Sequence, residues 1–174
     1  MTELANLMTS RFILRPLMEA DVSETYLSCM KNVTESLYID STSSSHTIET
    51  LKDYVRSKSS LENCLFFGIF LKSKRVHIGN IKFENISAKL DGAVMGVLVF
   101  ETKHRGKGVF AEVFEKSSKY ISETYGVKRI FLGVRGENVA AIRAYEKYGF
   151  VETTPTAMEL DYFGNVSMVK LVAD

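Results

Sequence analysis

The chain contains few cysteines and almost no excess charge. Its two cysteines, Cys29 and Cys64, form no spaced set, so neither a disulfide framework nor a zinc site is predicted. Twenty-two Lys and Arg residues against 21 Asp and Glu residues leave a net charge of +1. No overall field therefore favours nucleic acid or an anionic membrane as a partner, and any anion site must be local.

A long apolar run and a targeting segment are also missing from the sequence. The longest apolar stretch, 64–71, is interrupted by Gly68 and is far too short to span a bilayer. The first residues show neither the basic region nor the apolar run of a signal peptide. With 45% hydrophobic and 25% charged residues the composition is globular. We therefore expect one cytoplasmic domain over 1–174. We expect it to be a monomer or homodimer and to have no nucleic-acid or membrane partner.

The predicted elements follow the order strand, two helices, three strands, helix, strand, helix and hairpin. The predicted strands are 11–16, 65–71, 76–83, 93–100 and 127–134, with hairpin arms at 156–162 and 166–172. Helices are predicted from Asp21, from Thr47 or a neighbour, over 108–124 and over 138–148, with a loop at 41–45. Helices pack naturally over such strands. We expect an α/β (α+β) fold with a central, mixed, mostly antiparallel, twisted sheet of about seven strands flanked by about four helices.

The first predicted helix carries a start signal and an apolar face. Asp21 is followed three residues later by Glu24, the spacing of a capping box, so Asp21 is predicted to begin this helix. Its apolar stripe consists of Val22, Tyr26, Leu27 and Met30.

Two glycines separated by one residue stand where a predicted strand meets a predicted helix. Gly106 and Gly108 permit unusual backbone dihedrals and close approach of a ligand. The helix that follows offers unpaired N–H groups and a positive dipole end, which together bind phosphate. Lys103, Arg105 and Lys107 add local positive charge. An anion site is one interpretation, and a glycine-rich turn with solvated basic residues is the other; the spacing matches neither a Walker loop nor the dinucleotide fingerprint.

A second stretch combines a helix cap with a tyrosine. Asn138 is predicted to cap a helix that Gly149 ends, before an apolar Phe150. Tyr145 lies seven residues after Asn138, close to two helical turns, so the cap and the phenol share a face. Considered alone, this stretch is equally typical of an ordinary capped amphipathic helix.

Together, these two stretches resemble the acetyl-CoA-binding motifs of the GNAT family of N-acetyltransferases. The residues that match its pyrophosphate loop are Lys103, His104, Arg105, Gly106, Lys107 and Gly108. The residues that match its later motif are Asn138, Tyr145, Lys147, Gly149 and Phe150. The sequence departs from the family pattern at two positions. Lys103 stands where Gln or Arg is usual, which keeps positive charge and donors but loses the planar donor group of those side chains. Thr102 stands where many members have Pro.

The N-terminal segment adds a second resemblance within that family. The segment 11–17, with Asp21 shortly after it, is similar to the branch that contains ribosomal-protein N-terminal acetyltransferases. That branch commonly lacks a tyrosine at the position of Tyr145, whose presence favours relatives that acetylate small amines.

The resemblance implies direct transfer of acetyl from acetyl-CoA to a primary amine. No spacing of His, Cys or carboxylate residues in the sequence indicates a metal. The resemblance also implies that the pantetheine arm pairs with the predicted strand 93–100, whose N–H groups would hold the oxyanion. Tyr145 would be the general acid for the leaving thiolate, and Asn138 would contact the pantetheine or orient its helix. The residues expected to bind the cofactor are Leu98, Val99, Phe100, Lys103, Arg105, Gly106, Lys107, Gly108, Val109, Asn138 and Tyr145.

The general base and the acetyl acceptor are left open by the sequence. Glu84 and Asp91 are candidate bases, although each is also typical of a solvated carboxylate, and His77 is expected to face solvent or a neighbouring element. His46 stands in the Ser-rich loop with no partner evident from the sequence. Substrate recognition is expected from 11–60 and 154–174, and cofactor binding from 65–150.

Three functions follow from this interpretation. The first is acetylation of a small-molecule amine such as an amino sugar or a polyamine. The second is acetylation of a protein N-terminus, and the third is a non-catalytic acyl-CoA-binding module.

Overall fold

The computed structural model describes residues 6–36, 46–89, 91–154 and 165–172. Within them the chain forms eight strands and four α-helices. The strands are β1 (Leu7–Met8), β2 (Phe12–Pro16), β3 (Leu65–Leu71), β4 (His77–Ser87), β5 (Gly92–Val99), β6 (Arg129–Arg135), β7 (Val151–Thr153) and β8 (Asn165–Leu171). The helices are α1 (Glu24–Ser36), α2 (Ile48–Ser59), α3 (Val109–Tyr125) and α4 (Val139–Lys147), and two 3₁₀ turns cover Glu19–Asp21 and Thr102–His104.

The strands are hydrogen-bonded in the order β1-β2-β3-β4-β5-β6-β8-β7. Strands β5 and β6 are parallel, whereas β1–β2, β2–β3, β6–β8 and β7–β8 are antiparallel. The predicted α/β (α+β) fold with a mixed sheet and four helices is therefore confirmed. Two short strands, β1 and β7, were not predicted, and the first predicted hairpin arm lies outside the described residues.

Contacts along the chain group it into two units. The first unit comprises 1–82 and 97–113, and the second comprises 83–96 and 114–174.

Helices α1 and α2 of the first unit bury one apolar face against β3 and the end of β5. All members of the predicted stripe are buried or partly buried, but Val22 precedes α1, so only Tyr26, Leu27 and Met30 belong to its face. The buried residues of this core are Leu17, Val22, Tyr26, Leu27, Leu51, Val55, Phe66 and Phe100. Burial of side chains of this size stabilises a fold by about 1.5–3 kcal/mol each.

Strands β4 and β5 approach each other closely in the first unit. A Cβ atom at Gly79 would overlap the carbonyl oxygen of Leu98, and it would lie 3.2 Å from Cα of Val99. Only glycine therefore fits at position 79. The N–H group of Phe100 donates to the carbonyl of Ile78 at 2.9 Å, which fixes the end of β5 against the start of β4.

The predicted cap at Asp21 is wrong. Asp21 ends a 3₁₀ turn, and α1 begins three residues later, where Oγ of Ser23 accepts from the N–H group of Tyr26 at 3.2 Å. The carboxylate of Asp21 instead binds the Arg15 guanidinium at 2.5 and 2.8 Å. The cap predicted at Thr47 is confirmed, because its Oγ1 accepts from the N–H group of Thr50 at 3.1 Å.

The second unit is organised around the antiparallel pair β6–β8. The β6–β8 pairing runs from Arg129 with Leu171 to Arg135 with Asn165. Strand β7 pairs with the other edge of β8. Glycines end both helices as predicted: Gly126 after α3 and Gly149 after α4 have φ of +68° and +83°.

Candidate functional site

The loop that follows β5 lies within the first unit and contains two glycines in the left-handed region. Gly106 and Gly108 have φ of +67° and +71°, values that glycine adopts without steric cost. Both are exposed, and α3 begins directly after them at Val109. The carbonyl of Gly108 accepts from the N–H group of Glu112 at 3.3 Å, so the first helical turn starts at this glycine. A strand, a glycine loop and a helix N-terminus in this order form the geometry that binds phosphate groups.

Arg105 ties this loop to the strand that precedes it. Its Nε donates to the carbonyl of Val99 at 2.9 Å, and its Nη2 donates to the carbonyl of Phe100 at 3.2 Å. The planar guanidinium can make both bonds because its donors form a rigid fork. Arg105 therefore shapes the loop through main-chain contacts, and a contact with the cofactor stays a prediction.

An acidic residue offsets part of the positive charge of the loop. Nζ of Lys103 lies 2.7 Å from Oε2 of Glu101, a close ion pair without hydrogen-bond alignment. Nε2 of His104 lies 3.2 Å from the same oxygen. Lys107 is exposed. The local field is therefore weaker than three basic residues alone would produce.

The second half of β5 is less buried than the first half. Ala93 and Met95 are buried, whereas Gly96 is exposed and 97–99 are half-buried. The parallel pairing with β6 covers 92–94 in β5. Beyond residue 94, β5 has no register with β6 among the described residues. An unpaired strand edge can pair with an extended ligand, as the pantetheine contact implied by the resemblance would require.

Phe100, which was expected to bind the cofactor, directs its ring into the core of the first unit. Phe100 is 6% exposed, and its ring lies 5.1 Å from the rings of Tyr26 and His77. Any contact of Phe100 with a cofactor must therefore come from its main chain.

The helix α4, in the second unit, begins at the predicted cap. Oδ1 of Asn138 accepts from the N–H group of Ala141 at 3.2 Å, which confirms Asn138 as the N-cap. Asn138 thus orients α4, one of its two expected roles. Tyr145, in the last turn, packs its ring edge-on to Phe150 at 5.7 Å.

The phenol of Tyr145 is mostly buried, and this burial raises its pKa to about 12. The hydroxyl therefore stays protonated at neutral pH. A general acid or a hydrogen-bond donor must be in that state.

A buried polar cluster in the first unit was not recognised from the sequence. Nε2 of His77 lies 2.7 Å from Oδ1 of Asn80, whose Nδ2 donates to the Tyr26 hydroxyl at 3.0 Å. Burial raises the pKa of Tyr26 to about 12. No sequence signal joins these residues, because they come from α1 and β4, which are far apart in the chain.

A lysine and a tyrosine also meet in the first unit. Nζ of Lys82 donates to the hydroxyl of Tyr54 at 2.5 Å and lies 5.8 Å from the ring centroid of Phe66. Tyr54 is 40% exposed, so this pair lies at the surface of α2.

The candidate bases occupy different environments. Glu84 is half-buried in β4. Asp91 has a φ of +51° in the turn before β5, and its carbonyl accepts from the N–H groups of Lys128 and Arg129 at 3.0 and 2.8 Å. Its main chain therefore has a structural role.

Burial, assisted by the nearby Glu101, raises the pKa of the Cys29 thiol, which disfavours the thiolate.

Two further classes of site were sought in the part of the chain that the structure describes. No group of three or more His, Cys, Asp or Glu residues there could hold a metal ion. None of its helices is both long enough and apolar enough to cross a membrane.

Residues 11–151 match the family model described as "Acetyltransferase (GNAT) domain". A spermine/spermidine N(1)-acetyltransferase of Bacillus subtilis (strain 168) is 33% identical over 70 residues, which cover 40% of this chain and 43% of that protein. The chain thus matches less than half of the length of its curated relatives.

Two solved structures share the fold over almost the whole chain. A ribosomal-protein-S5-alanine acetyltransferase from Vibrio fischeri has a TM-score of 0.78 at 15% identity, and 98% of each chain is covered. A spermidine N-acetyltransferase from Vibrio cholerae, in complex with CoA and spermine, has a TM-score of 0.74 at 20% identity over 93% of this chain and 96% of that chain. The family model covers most of the sequence, and the chain therefore belongs to the GNAT acetyltransferase family.

Proposed function

We propose that this protein transfers the acetyl group of acetyl-CoA directly to a primary amine of a small molecule, such as a polyamine or an amino sugar. The observation that carries the proposal is the loop after β5. There, exposed Gly106 and Gly108 in the left-handed region lead directly into α3. In a GNAT family member, this geometry fits the pyrophosphate of acetyl-CoA.

The reaction begins with deprotonation of the acceptor. An alkyl amine with a pKa of about 10 is neutral in roughly one molecule in a thousand at pH 7, which costs about 4 kcal/mol. A base removes the proton, and the neutral nitrogen attacks the thioester carbonyl carbon. Glu84 and Asp91 are the proposed candidates for that base. Both residues are half-buried, Glu84 on β4 and Asp91 in the turn before β5, so their burial does not distinguish them.

The tetrahedral intermediate then collapses with cleavage of the carbon–sulfur bond. Backbone N–H groups in the second half of β5 would stabilise the oxyanion. Tyr145 would donate its phenolic proton, or a hydrogen bond, to the leaving thiolate. The second proton that the nitrogen loses as the amide forms would restore the phenol. Its pKa of about 12 keeps the phenol protonated for this purpose. The products are CoA and an N-acetyl amide.

The remaining cofactor contacts are proposed to lie along β5 and its loop. Leu98 and Val99 would contact the pantetheine, and the residues proposed for the pyrophosphate are Lys103, Gly106, Lys107, Gly108 and Val109. Arg105 and Phe100 would act through their positions in the loop and through main-chain atoms. Asn138 would orient α4.

The charges of the first unit bear on the choice of acceptor. A polyamine carries several positive charges, so its binding site requires carboxylates. Glu19 and Asp53 are both engaged by Arg56, at 2.5–2.8 Å. Asp21 is engaged by Arg15 at 2.5–2.8 Å. The curated relatives named as spermine acetyltransferases nevertheless support a polyamine.

An acceptor panel tests the proposal. The protein is incubated with acetyl-CoA and, separately, with spermidine, amino sugars and peptides with free N-termini. Released CoA is measured with a thiol reagent, and the products are measured by mass spectrometry. We expect acetylation of at least one small amine and not of the peptides. Turnover on peptides alone would replace this function with protein N-terminal acetylation. Cofactor binding without turnover on any amine would indicate an acyl-CoA-binding module.

A further inference from the structure

Glu112, in the first turn of α3, holds the segment between β1 and β2. Its Oε1 accepts from Oγ1 of Thr9 at 2.7 Å and from the N–H group of Arg11 at 2.6 Å. Its Oε2 accepts from Nε of Arg11 at 2.7 Å. Burial would raise the pKa of Glu112, but the hydrogen bonds from Thr9 and Arg11 lower it, so the carboxylate stays ionised at neutral pH.

The other side of the Arg11 guanidinium reaches the glycine loop. Its Nη1 donates to the carbonyl of Lys107 at 3.0 Å. Its Nη2 lies 3.7 Å from the point where a Cβ atom of Gly108 would stand. Arg11 therefore bridges α3 and the loop with one planar group.

The hydrogen bond from Arg11 to the Lys107 carbonyl determines the direction of the Gly108 N–H group. The Lys107–Gly108 peptide is trans, as are all peptide bonds that the structure describes, so its carbonyl and its N–H group point in opposite directions. Because Arg11 holds the carbonyl, the N–H group of Gly108 points away from Arg11. Among residues 6–36, 46–89, 91–154 and 165–172, no group accepts a hydrogen bond from that N–H group.

A glycine loop needs such a constraint. Gly108 can adopt many backbone conformations, so the peptide that joins it to Lys107 can rotate at lower steric cost than a peptide before a residue with a side chain. A rotated peptide would present its carbonyl oxygen, with its partial negative charge, to an anion. The bond from Arg11 opposes this rotation.

We propose that Arg11 is a positioning residue for the cofactor, which bridges Glu112 and the Lys107 carbonyl and thereby directs the Gly108 N–H group at a pyrophosphate oxygen of acetyl-CoA. The inference rests on the proposed function, because it requires acetyl-CoA as the ligand. Arg11 acts through the peptide and not as a net charge, since Glu112 neutralises its guanidinium at 2.7 Å.

The experiment compares Arg11→Gln, Arg11→Lys and a control, Arg56→Gln. The control breaks an exposed arginine–carboxylate pair of similar geometry, between Arg56 and Glu19 at 2.5 and 2.8 Å. Calorimetry gives the Kd for CoA, kinetics give kcat and KM for acetyl-CoA and for acetyl-pantetheine, and circular dichroism gives the unfolding midpoint.

We expect Arg11→Gln to raise the Kd for CoA about tenfold, the loss of roughly one well-placed hydrogen bond. Arg11→Lys should bind almost as weakly, because one ammonium cannot bridge the carboxylate and the carbonyl. The KM for acetyl-pantetheine, which lacks the pyrophosphate, should change less than twofold, as should kcat at saturating acetyl-CoA. Arg56→Gln should retain the wild-type Kd.

Several outcomes would overturn the inference. Wild-type affinity for CoA in Arg11→Gln would do so, as would full recovery of affinity in Arg11→Lys, which would make the positive charge responsible. An equal rise of KM for acetyl-pantetheine would show that the substitution disturbs the whole fold. If Arg11→Gln does not fold, Arg11→Lys decides alone. A wild-type protein that binds no CoA would instead refute the proposed function, and this inference with it.

Discussion

Nε2 of His77 lies 2.7 Å from Oδ1 of Asn80, and three aromatic rings pack around the imidazole. Phe70 stacks on the imidazole at 4.6 Å, and the rings of Phe100 and Tyr26 lie 5.1 and 5.2 Å away. His77 thus faces neighbouring elements, the second of the two alternatives that the sequence left open. Its place makes the stability of the first unit dependent on pH.

We expect the free energy of unfolding to decrease as the pH falls below about 6.5, the usual pKa of histidine. Burial lowers the pKa of His77 in the folded protein, although the bond to Asn80 and the charge of Asp21 act in the opposite direction. Between the lowered pKa and about 6.5, the unfolded chain binds a proton that the folded chain does not bind, so stability is lost there and levels off below the folded pKa.

Urea denaturation from pH 5 to 8 measures this dependence. Circular dichroism is the suitable signal because the chain contains no tryptophan. In His77→Gln the loss of stability between neutral pH and pH 5 should become smaller. His46→Gln, which removes a histidine next to the cap of α2, is the comparison variant, and the loss of stability should be smaller in His77→Gln than in this variant. An unchanged profile in His77→Gln would exclude His77 as its source.

Local signals of the sequence predicted local structure well. The caps at Thr47 and Asn138 and the glycine stops of α3 and α4 were predictable, because each depends on residues within about four positions. The buried cluster of His77 was not, since Tyr26 of α1 reaches Asn80 of β4 across 54 positions of the chain, a contact that only the tertiary fold creates. Strands β1 and β7, of two and three residues, are too short to show alternation.

The prediction at Asp21 was wrong for a different, local reason. The capping-box spacing to Glu24 was correct as a pattern, but a salt bridge to Arg15 competes for the carboxylate. The loop after β5 was located from its glycines. The contacts of Arg11 with this loop and with Glu112 could not be predicted, because about 100 residues separate Arg11 from both.

Asp21→Asn should destabilise the protein by about 1–3 kcal/mol, the usual cost of a lost hydrogen bond to a charged group. Burial would raise the pKa of Asp21, but the bonds from Arg15 and from the Met18 N–H group lower it. Its contribution is therefore complete above about pH 4 and is lost as the pH falls through the lowered pKa. Chemical denaturation at pH 7 and pH 3 should show a larger effect of the substitution at pH 7.

The control for this prediction is Asp53→Asn. Asp53 pairs with Arg56 at 2.6 Å, but its side chain is 67% exposed, so solvent screens the pair and little stability should be lost. Equal losses in the two variants would show that the 10% exposed side chain of Asp21 has no special role in the turn before α1.

Tyr145→Phe should lower kcat roughly a hundredfold, the usual contribution of a positioned proton donor. The Kd for acetyl-CoA should stay within about twofold, because the hydroxyl is expected to act on the leaving sulfur. The ring contact with Phe150 at 5.7 Å is retained by phenylalanine, so the fold should not change. Single-turnover kinetics measure the chemical step, and Tyr148→Phe in the residue after α4 is the matched control. Unchanged turnover in Tyr145→Phe would remove Tyr145 from the role of acid.

Gly106→Val should abolish binding of acetyl-CoA, although no atom obstructs the new side chain. A Cβ atom at Gly106 would meet nothing within 4 Å, so the cost comes from its φ of +67°, which a β-branched residue avoids. The loop must rearrange to relieve a strain of about 1–3 kcal/mol, and the N–H groups that follow Gly106 lose their direction. Calorimetry with CoA measures the loss of binding.

Gly126→Val separates this effect from simple destabilisation. Gly126 has a φ of +68° and equally open surroundings, but it ends α3 and belongs to the second unit. Both variants should lose similar unfolding free energy, because the backbone strain is the same. Only Gly106→Val should lose CoA, since only its glycine belongs to the loop. If the two variants bind CoA equally well, the pyrophosphate does not depend on the conformation of this loop, and the phosphate-binding role of Gly106 is wrong.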